Sequence, residues 1–172
     1  MAPDIIERIS DELLRMEEDC NHSAKAHFNA SDRWALWNYC FGIPSVVLST
    51  AAGATFFKDY PVLAGSMALG VAVLTSLMTF LKPGEKAGGH KSSGDQYLAL
   101  KNNARVFREI ELRSGIEAEA ALNAMKSLTT RRDELNQASP PFSRSDFEKA
   151  KKGIDAGESL HVVDKVKPHV RS

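Results

Sequence analysis

The spacing of apolar positions along this chain changes abruptly near residue 34. From Ile5 to Cys20 the apolar residues recur at helical intervals (Ile5, Ile9, Leu13, Met16, Cys20) with charged residues between them. This predicts an amphipathic helix, with Asp4 placed after Pro3 to cap its start. The pattern continues through Ala24 and His27 towards Trp34. Periodicity then gives way to continuous apolarity. Between Arg33 and Lys82 the only charged residues are Lys58 and Asp59, which divide the stretch into two blocks, 34–57 and 60–81. Each has the roughly 20 residues a helix needs to cross a hydrocarbon layer of about 30 Å. A helix in a soluble core rarely stays uncharged so long, because one of its faces meets water. The blocks therefore predict two transmembrane helices, and a loop this short makes them antiparallel neighbours. Pro61 fits the first turn of the second helix. Pro44 is expected to kink the first span, or to mark where a water-facing helix ends and the membrane helix starts.

Beyond the second block, Gly84, Gly88, Gly89, Ser92, Ser93 and Gly94 predict a flexible linker over 83–94. It differs from a phosphate-binding loop because His90 separates Gly89 from Lys91 and no strand precedes it. From Asp95 to about Gln137 proline is absent and Ala, Leu, Glu, Arg and Lys abound, which predicts one long helix, or two meeting near Ser114-Gly115. An apolar seam runs through Tyr97, Leu100, Ala104 and Phe107 at coiled-coil spacing. Glu111 and Ser114 interrupt it, and it resumes at Ala118, Ala121, Met125 and Leu128. Its expected partners are the N-terminal helix and neighbouring subunits. Pro140-Pro141 ends this segment, and Ser145 is expected to cap a short helix carrying Phe147, Ala150 and Ile154. The fold class is all-α: a two-helix transmembrane hairpin with a cytoplasmic amphipathic N-terminal helix and a long C-terminal helix or helix pair. The hairpin and the segments 1–33 and 82–157 form one domain, 1–157. The tail 158–172 is expected to be weakly ordered, apart from the apolar Leu160, Val162 and Val163.

Whole-chain composition conceals this organisation. The mean hydropathy of −0.27 and the zero net charge would suit a soluble domain. Residues 1–33 alone carry eight acids against four bases. Orientation follows Lys and Arg rather than net charge. Arg15, Lys25 and Arg33 precede the first span, and Lys82, Lys86, Lys91, Lys101 and Arg105 follow the second, whereas the connecting loop has only Lys58. Both termini are therefore expected in the cytoplasm, with the hairpin in the inner membrane. Trp34, Trp37, Tyr39 and Phe80 would sit at the inner interface, and Phe56, Phe57 and Tyr60 at the outer one. Lys82, Lys86 and Lys91 are candidate contacts to anionic lipid headgroups. A secretory signal is not expected, since the first apolar block lies behind an acidic helical segment.

On a helical wheel the second span divides into a small face, with Ala64, Gly65, Ala68, Ala72, Thr75, Ser76 and Thr79, and a bulky one, with Leu63, Met67, Leu69, Val73, Leu74, Leu77 and Met78. In the first span Gly42, Ser45, Ser49, Ala52 and Gly53 share a side. Small faces let helix backbones approach closely. They either pack against each other, within a hairpin or between hairpins, or line a water-filled path in an oligomer. Candidate pore-lining or packing positions are Ser45, Ser49, Gly53, Ala68, Ala72, Thr75, Ser76 and Thr79. Neither span carries a charge in its interior, which argues against a proton relay, a coupled transporter or a voltage sensor.

Catalytic chemistry is not legible. His22, His27, His90, His161 and His169 form no metal-ligand spacing with Cys or acid partners, and no nucleophile–base arrangement stands out. No cofactor, metal or nucleic-acid partner is expected, and the Arg131-Arg132 and Lys151-Lys152 pairs read as solvated surface. Cys20 and Cys40 lie about five helical turns apart, too far for a disulfide, and read as free thiols.

The layout resembles a known family. An amphipathic N-terminal helix leads through His27, Phe28, Arg33 and Trp34 to Gly42-Ile43-Pro44. Paired Ser/Ala/Gly-rich spans follow, then a Gly-containing segment, a long helix, and a short helix with Phe147 and Ala150 after a proline break. From about Ile5 to about Ala156 this is similar to the SLATT family, two-transmembrane effectors associated with nucleotide-generating and nucleotide-sensing partners. The resemblance implies an oligomeric effector of bacterial antiphage or conflict defence, one that opens or disrupts the inner membrane when a nucleotide-based partner signals. No fused sensor domain is visible, so the signal would act on the cytoplasmic helices or through a separate protein. Two other readings suit the residues: a membrane-anchored assembly module that recruits a cytoplasmic partner, and a holin-like lysis protein.

Overall fold

The computed structural model describes residues 4–56, 58 and 60–159. Phe57 and Asp59, and the tail residues Leu160, Val162 and Val163, lie outside the described residues. Every regular element among the described residues is helical. They are α1 (Ile5–Phe56), α2 (Pro61–Leu81), α3 (Pro83–Val106), α4 (Ala118–Ala138) and α5 (Arg144–Asp155). The chain divides into two compact units: Met1–Asn29 with His90–Ser172, and Ala30–Gly89.

In the first unit, the polar half of α1 packs its periodic stripe against α3 and α4. Ile9, Leu13, Met16, Cys20, Ala24 and His27 are buried, as the sequence pattern requires, while Ile5 is exposed. Asp4 takes the capping position through its carbonyl, which accepts from Arg8 N–H at 3.1 Å. The opposing seam on α3 also matches expectation, with Tyr97, Leu100, Ala104 and Phe107 all buried.

Two expectations about this half of the chain are corrected. The glycine-rich stretch 83–94 is not a linker; it belongs to α3. Pro83 occupies its first turn, where a missing N–H costs nothing. His90, Ser93, Tyr97, Leu100, Ala104 and Phe107 then form one buried series at alternating intervals of three and four. Gly94 serves a close approach rather than flexibility: a Cβ there would lie 2.7 Å from Phe28 Cε1. The second correction concerns the short terminal helix. Its cap is Ser143, not Ser145. Ser143 Oγ accepts from Asp146 N–H at 3.2 Å, and the Asp146 carboxylate accepts from Ser143 N–H at 3.1 Å. This reciprocal box satisfies two amide donors that a helix start leaves over.

The break near Ser114-Gly115 is real, and its form has a physical cause. Continuing α3 as a regular helix would bring Glu111 onto the buried seam after Phe107. Residues 107–111 instead form a π-helical turn, which inserts an extra residue and brings Leu112 to the buried side. A 3-10 turn, Leu112–Ser114, and Gly115 in the left-handed region (φ 88°) complete the reversal. In α4, Ala121 and Leu135 are buried and Met125 and Leu128 half-buried, whereas Ala118 is exposed.

In the second unit, the apolar half of α1 runs antiparallel to α2. The helix does not end at Pro44; it continues through it to Phe56. Ser45 Oγ donates to Phe41 O at 2.7 Å one turn back, beside the position where proline withholds an amide. Lys58 and Tyr60 both donate backbone N–H groups to Thr55 O, at 3.2 and 3.1 Å, and so tighten the connection between the helices.

Candidate functional site

The apolar hairpin of the second unit is the candidate site. Only 6% of the most apolar window of each long helix is buried. This separates them from the core helices of soluble proteins, which pass the same length and composition test while mostly buried. Two glycines mark contacts between the helices. A Cβ on Gly42 would meet Met78 Cε at 3.7 Å, and one on Gly70 would meet Leu48 Cδ1 at 3.5 Å. A methyl at either position would make an ordinary van der Waals contact with the bulky side chain opposite. On α2 the covered positions are Ala64, Met67, Val71, Leu74 and Met78, again at intervals of three and four.

This arrangement changes the meaning of the small face. The hairpin does not pack small side against small side. The covered stripe of α2 runs along the border of its two faces, and Ala68, Ala72, Thr75, Ser76 and Thr79 remain exposed, as do Leu63, Leu69, Val73 and Leu77. On α1, Ser49 and Gly53 are exposed as well; of the eight singled-out positions only Ser45 is buried. The exposed hydroxyls of α2 are internally satisfied. Thr75 donates to Val71 O at 2.8 Å, Ser76 to Ala72 O at 2.7 Å and Thr79 to Thr75 O at 2.9 Å. Such a face tolerates an apolar surround, because no donor is left bare, and it keeps oxygen lone pairs available to a neighbour.

The base of the hairpin is polar. Lys86 Nζ lies 4.3 Å from the Trp34 ring centroid, a cation–π contact that places Trp34 at the level of the lysine. Lys82, the last-turn cap of α2, adopts the left-handed region (φ 47°) and approaches Glu85 at 3.2 Å. Lys91 is held by Asp95 at 2.7 Å. Trp37, Tyr39, Phe56, Tyr60 and Phe80 are exposed.

Sequence reasoning missed one constellation in the first unit. His27 Nδ1 and His90 Nδ1 face each other at 3.0 Å in a buried setting. The His27 ring stacks on Tyr97, centroids 5.5 Å apart, and meets the Phe142 ring edge-on at 5.0 Å. The signal was present: reading 83–94 as helix places His90 seven residues before Tyr97 on the same seam. Burial, and secondarily the neighbouring His90, push the His27 imidazole down to about 4. Burial likewise pushes the Cys20 thiol up to about 11, which keeps it protonated and unreactive near neutral pH. Cys40 is a free, exposed thiol. No group of three metal-ligating side chains occurs among the described residues.

No family model, curated protein or solved structure matches the chain.

Proposed function

We propose that the chain is a membrane effector of bacterial conflict or antiphage defence, whose hairpins associate in the inner membrane and breach it when a partner signals. The observation that carries this reading is the small, hydroxylated face of α2 turned away from its own hairpin partner. Ile43, Val46, Val47, Val62, Leu69, Val73, Leu77 and Phe80 are exposed on the same hairpin. At about 1.5–3 kcal/mol per fully buried side chain, leaving them in water would cost on the order of 10 kcal/mol or more. Lipid or further copies must therefore cover them. Within lipid the hydrophobic effect no longer favours one apolar face over another, so small residues that allow close packing select the contact between copies. One hairpin cannot enclose a path for ions, which makes assembly a condition of the activity. The cytoplasmic orientation of both termini rests on the excess of Lys and Arg flanking the spans over the single Lys58 of the loop. The defence role and the nucleotide-based partner rest on the SLATT-like layout.

The direct test is induction of the chain together with its genomic neighbours while membrane potential and growth are followed. Depolarisation that precedes growth arrest supports the reading. Unchanged potential under activating conditions removes it. The assembly-module reading gains if charges introduced at Ser49 or Thr75 alter partner capture while ion leak never occurs.

A further inference from the structure

Away from the hairpin, four helices of the first unit surround an open cleft of about 600 Å³, within the size range of small-ligand sites. α5 supplies Phe147 and Lys151, one turn apart on a common side. α4 supplies Arg132 and Asn136, with the same spacing. α1 contributes His22, and the buried Tyr97 of α3 belongs to the lining. The capping box at Ser143 and Asp146 fixes the start of α5, and with it the positions of the ring and the ammonium group.

Two polar atoms of this lining are buried with no hydrogen-bond partner: His22 Nδ1 and Arg132 Nε. Buried polar atoms are rarely left this way, since each costs about 1–3 kcal/mol. Arg132 forms two long ion pairs, Nε with Asp133 Oδ1 at 3.5 Å and Nη1 with Asp19 Oδ2 at 3.8 Å, and neither gives Nε a hydrogen bond. Tyr97 Oη donates to Asn136 Oδ1 at 2.7 Å, which occupies the amide oxygen and leaves the amide N–H groups as donors. The remaining capacity of Arg132, Lys151 and Asn136 is therefore to donate. Glu18 and Asp19 also line the cleft, but both are exposed to solvent. Phe147 is partly exposed beside the cations, 5.9 Å from the His22 ring.

We propose that this cleft binds a nucleoside phosphate, its base laid on Phe147 and its phosphate held by Arg132 and Lys151. A guanidinium with an unused N–H matches phosphate oxygens in geometry and charge. An exposed aromatic ring offers a stacking platform to any base. As a binding site the cleft stands on its own geometry; as the place where a signal acts, it rests on the effector reading above.

The test uses the full chain in detergent micelles, titrated calorimetrically with adenosine and guanosine 5′-monophosphates, with adenosine and with inorganic phosphate. At least one monophosphate is expected to bind saturably, about tenfold or more tighter than adenosine or phosphate alone. Arg132→Gln, Lys151→Gln and Phe147→Leu should each weaken it about tenfold, a change of about 1.4 kcal/mol. Asp19→Asn should strengthen it, an effect that a merely structural role would not produce. Lys151 is exposed, so its variant keeps the test valid if Arg132→Gln does not fold. Absence of saturable binding up to about 10 mM, a weak affinity for a ligand of this size, overturns the proposal. So does parent-like affinity in Lys151→Gln, or phosphate binding as tightly as the nucleotide. A liposome leak assay separates the two readings. Binding without leak at any nucleotide concentration removes the effector and keeps the site, whereas leak without nucleotide binding removes the site and keeps the effector.

Discussion

His27 and His90 meet through their Nδ1 atoms at 3.0 Å, buried between α1 and α3. Only one of the two nitrogens can carry the shared hydrogen, so one ring donates to the other, and burial keeps the His27 imidazole neutral near neutral pH. Tyr97 and Phe142, both uncharged, complete the ring contacts of His27, so no carboxylate among those contacts offsets a positive charge.

The first expected outcome concerns pH. Unfolded His27 takes up a proton near 6.5, but folded His27 does so only near 4. Between those values unfolding binds protons, so stability falls as the pH drops through this window and levels off below it. The loss reaches about 3 kcal/mol. Circular-dichroism unfolding of the first unit's signal, in detergent at pH 7.5, 5.5 and 4.5, should show the decline, and His27→Phe should flatten it. An equal decline in parent and variant would assign the effect elsewhere.

Glycines on α3 should respond in opposite directions. Gly94→Ala forces a Cβ to 2.7 Å from the Phe28 ring and should cost about 1–3 kcal/mol. Gly88→Ala meets nothing within 4 Å. In a helix interior it should stabilise by about 0.5–1 kcal/mol. Thermal melting of both variants decides between helix and linker, because in a flexible linker neither change would register.

Arg108 anchors the π-helical turn to α1. Its Nε lies 2.7 Å and its Nη2 3.2 Å from the two oxygens of Glu17, with the side chains 12% and 11% exposed, and it also pairs with Glu109. Glu17→Ala leaves a mostly buried guanidinium short of its main partner and should cost about 3 kcal/mol in denaturant unfolding. The double variant Glu17→Leu/Arg108→Met should recover most of that loss. Failure to recover would show that the pair positions the turn as well as neutralising charge.

The two sides of α2 should also separate experimentally. Gly70→Leu intrudes on Leu48 within the hairpin and should lower the melting temperature whatever the oligomeric state. Ala72→Phe lies on the exposed small face and should leave the hairpin intact while shifting the assembly towards smaller species in size-exclusion with light scattering. An unchanged assembly in Ala72→Phe would place the contact between copies on another face.

The sequence by itself determined the elements whose cause is local. An uncharged run cannot face water over two blocks of this length, so 34–57 and 60–81 were readable as apolar helices from hydropathy alone. Ile9, Leu13, Met16 and Cys20, and Tyr97 to Phe107, were readable as seams because a helix repeats its faces every three to four residues. The π-helical turn was half legible: Glu111 flagged an interruption, but only packing made Leu112 the residue that replaces it.

Tertiary structure decided what composition cannot encode. Glycines 88, 89 and 94 carry the local preference of a linker, and that preference lost to a helix whose seam of His90, Ser93 and Tyr97 is buried, with His90 against His27 of α1. The wheel of α2 drew a small and a bulky face, but the contact with α1 falls on the border between them: Ala64 of the small face is covered together with Met67, Leu74 and Met78, while Leu63, Leu69, Val73 and Leu77 are exposed. Gly42 faces Met78 and Gly70 faces Leu48 across the pair, a pairing that only the assembled hairpin fixes. The cleft around Arg132 and Phe147, like the contact of His27 with His90, exists only where helices far apart in the chain converge, so no reading of single segments could reach it.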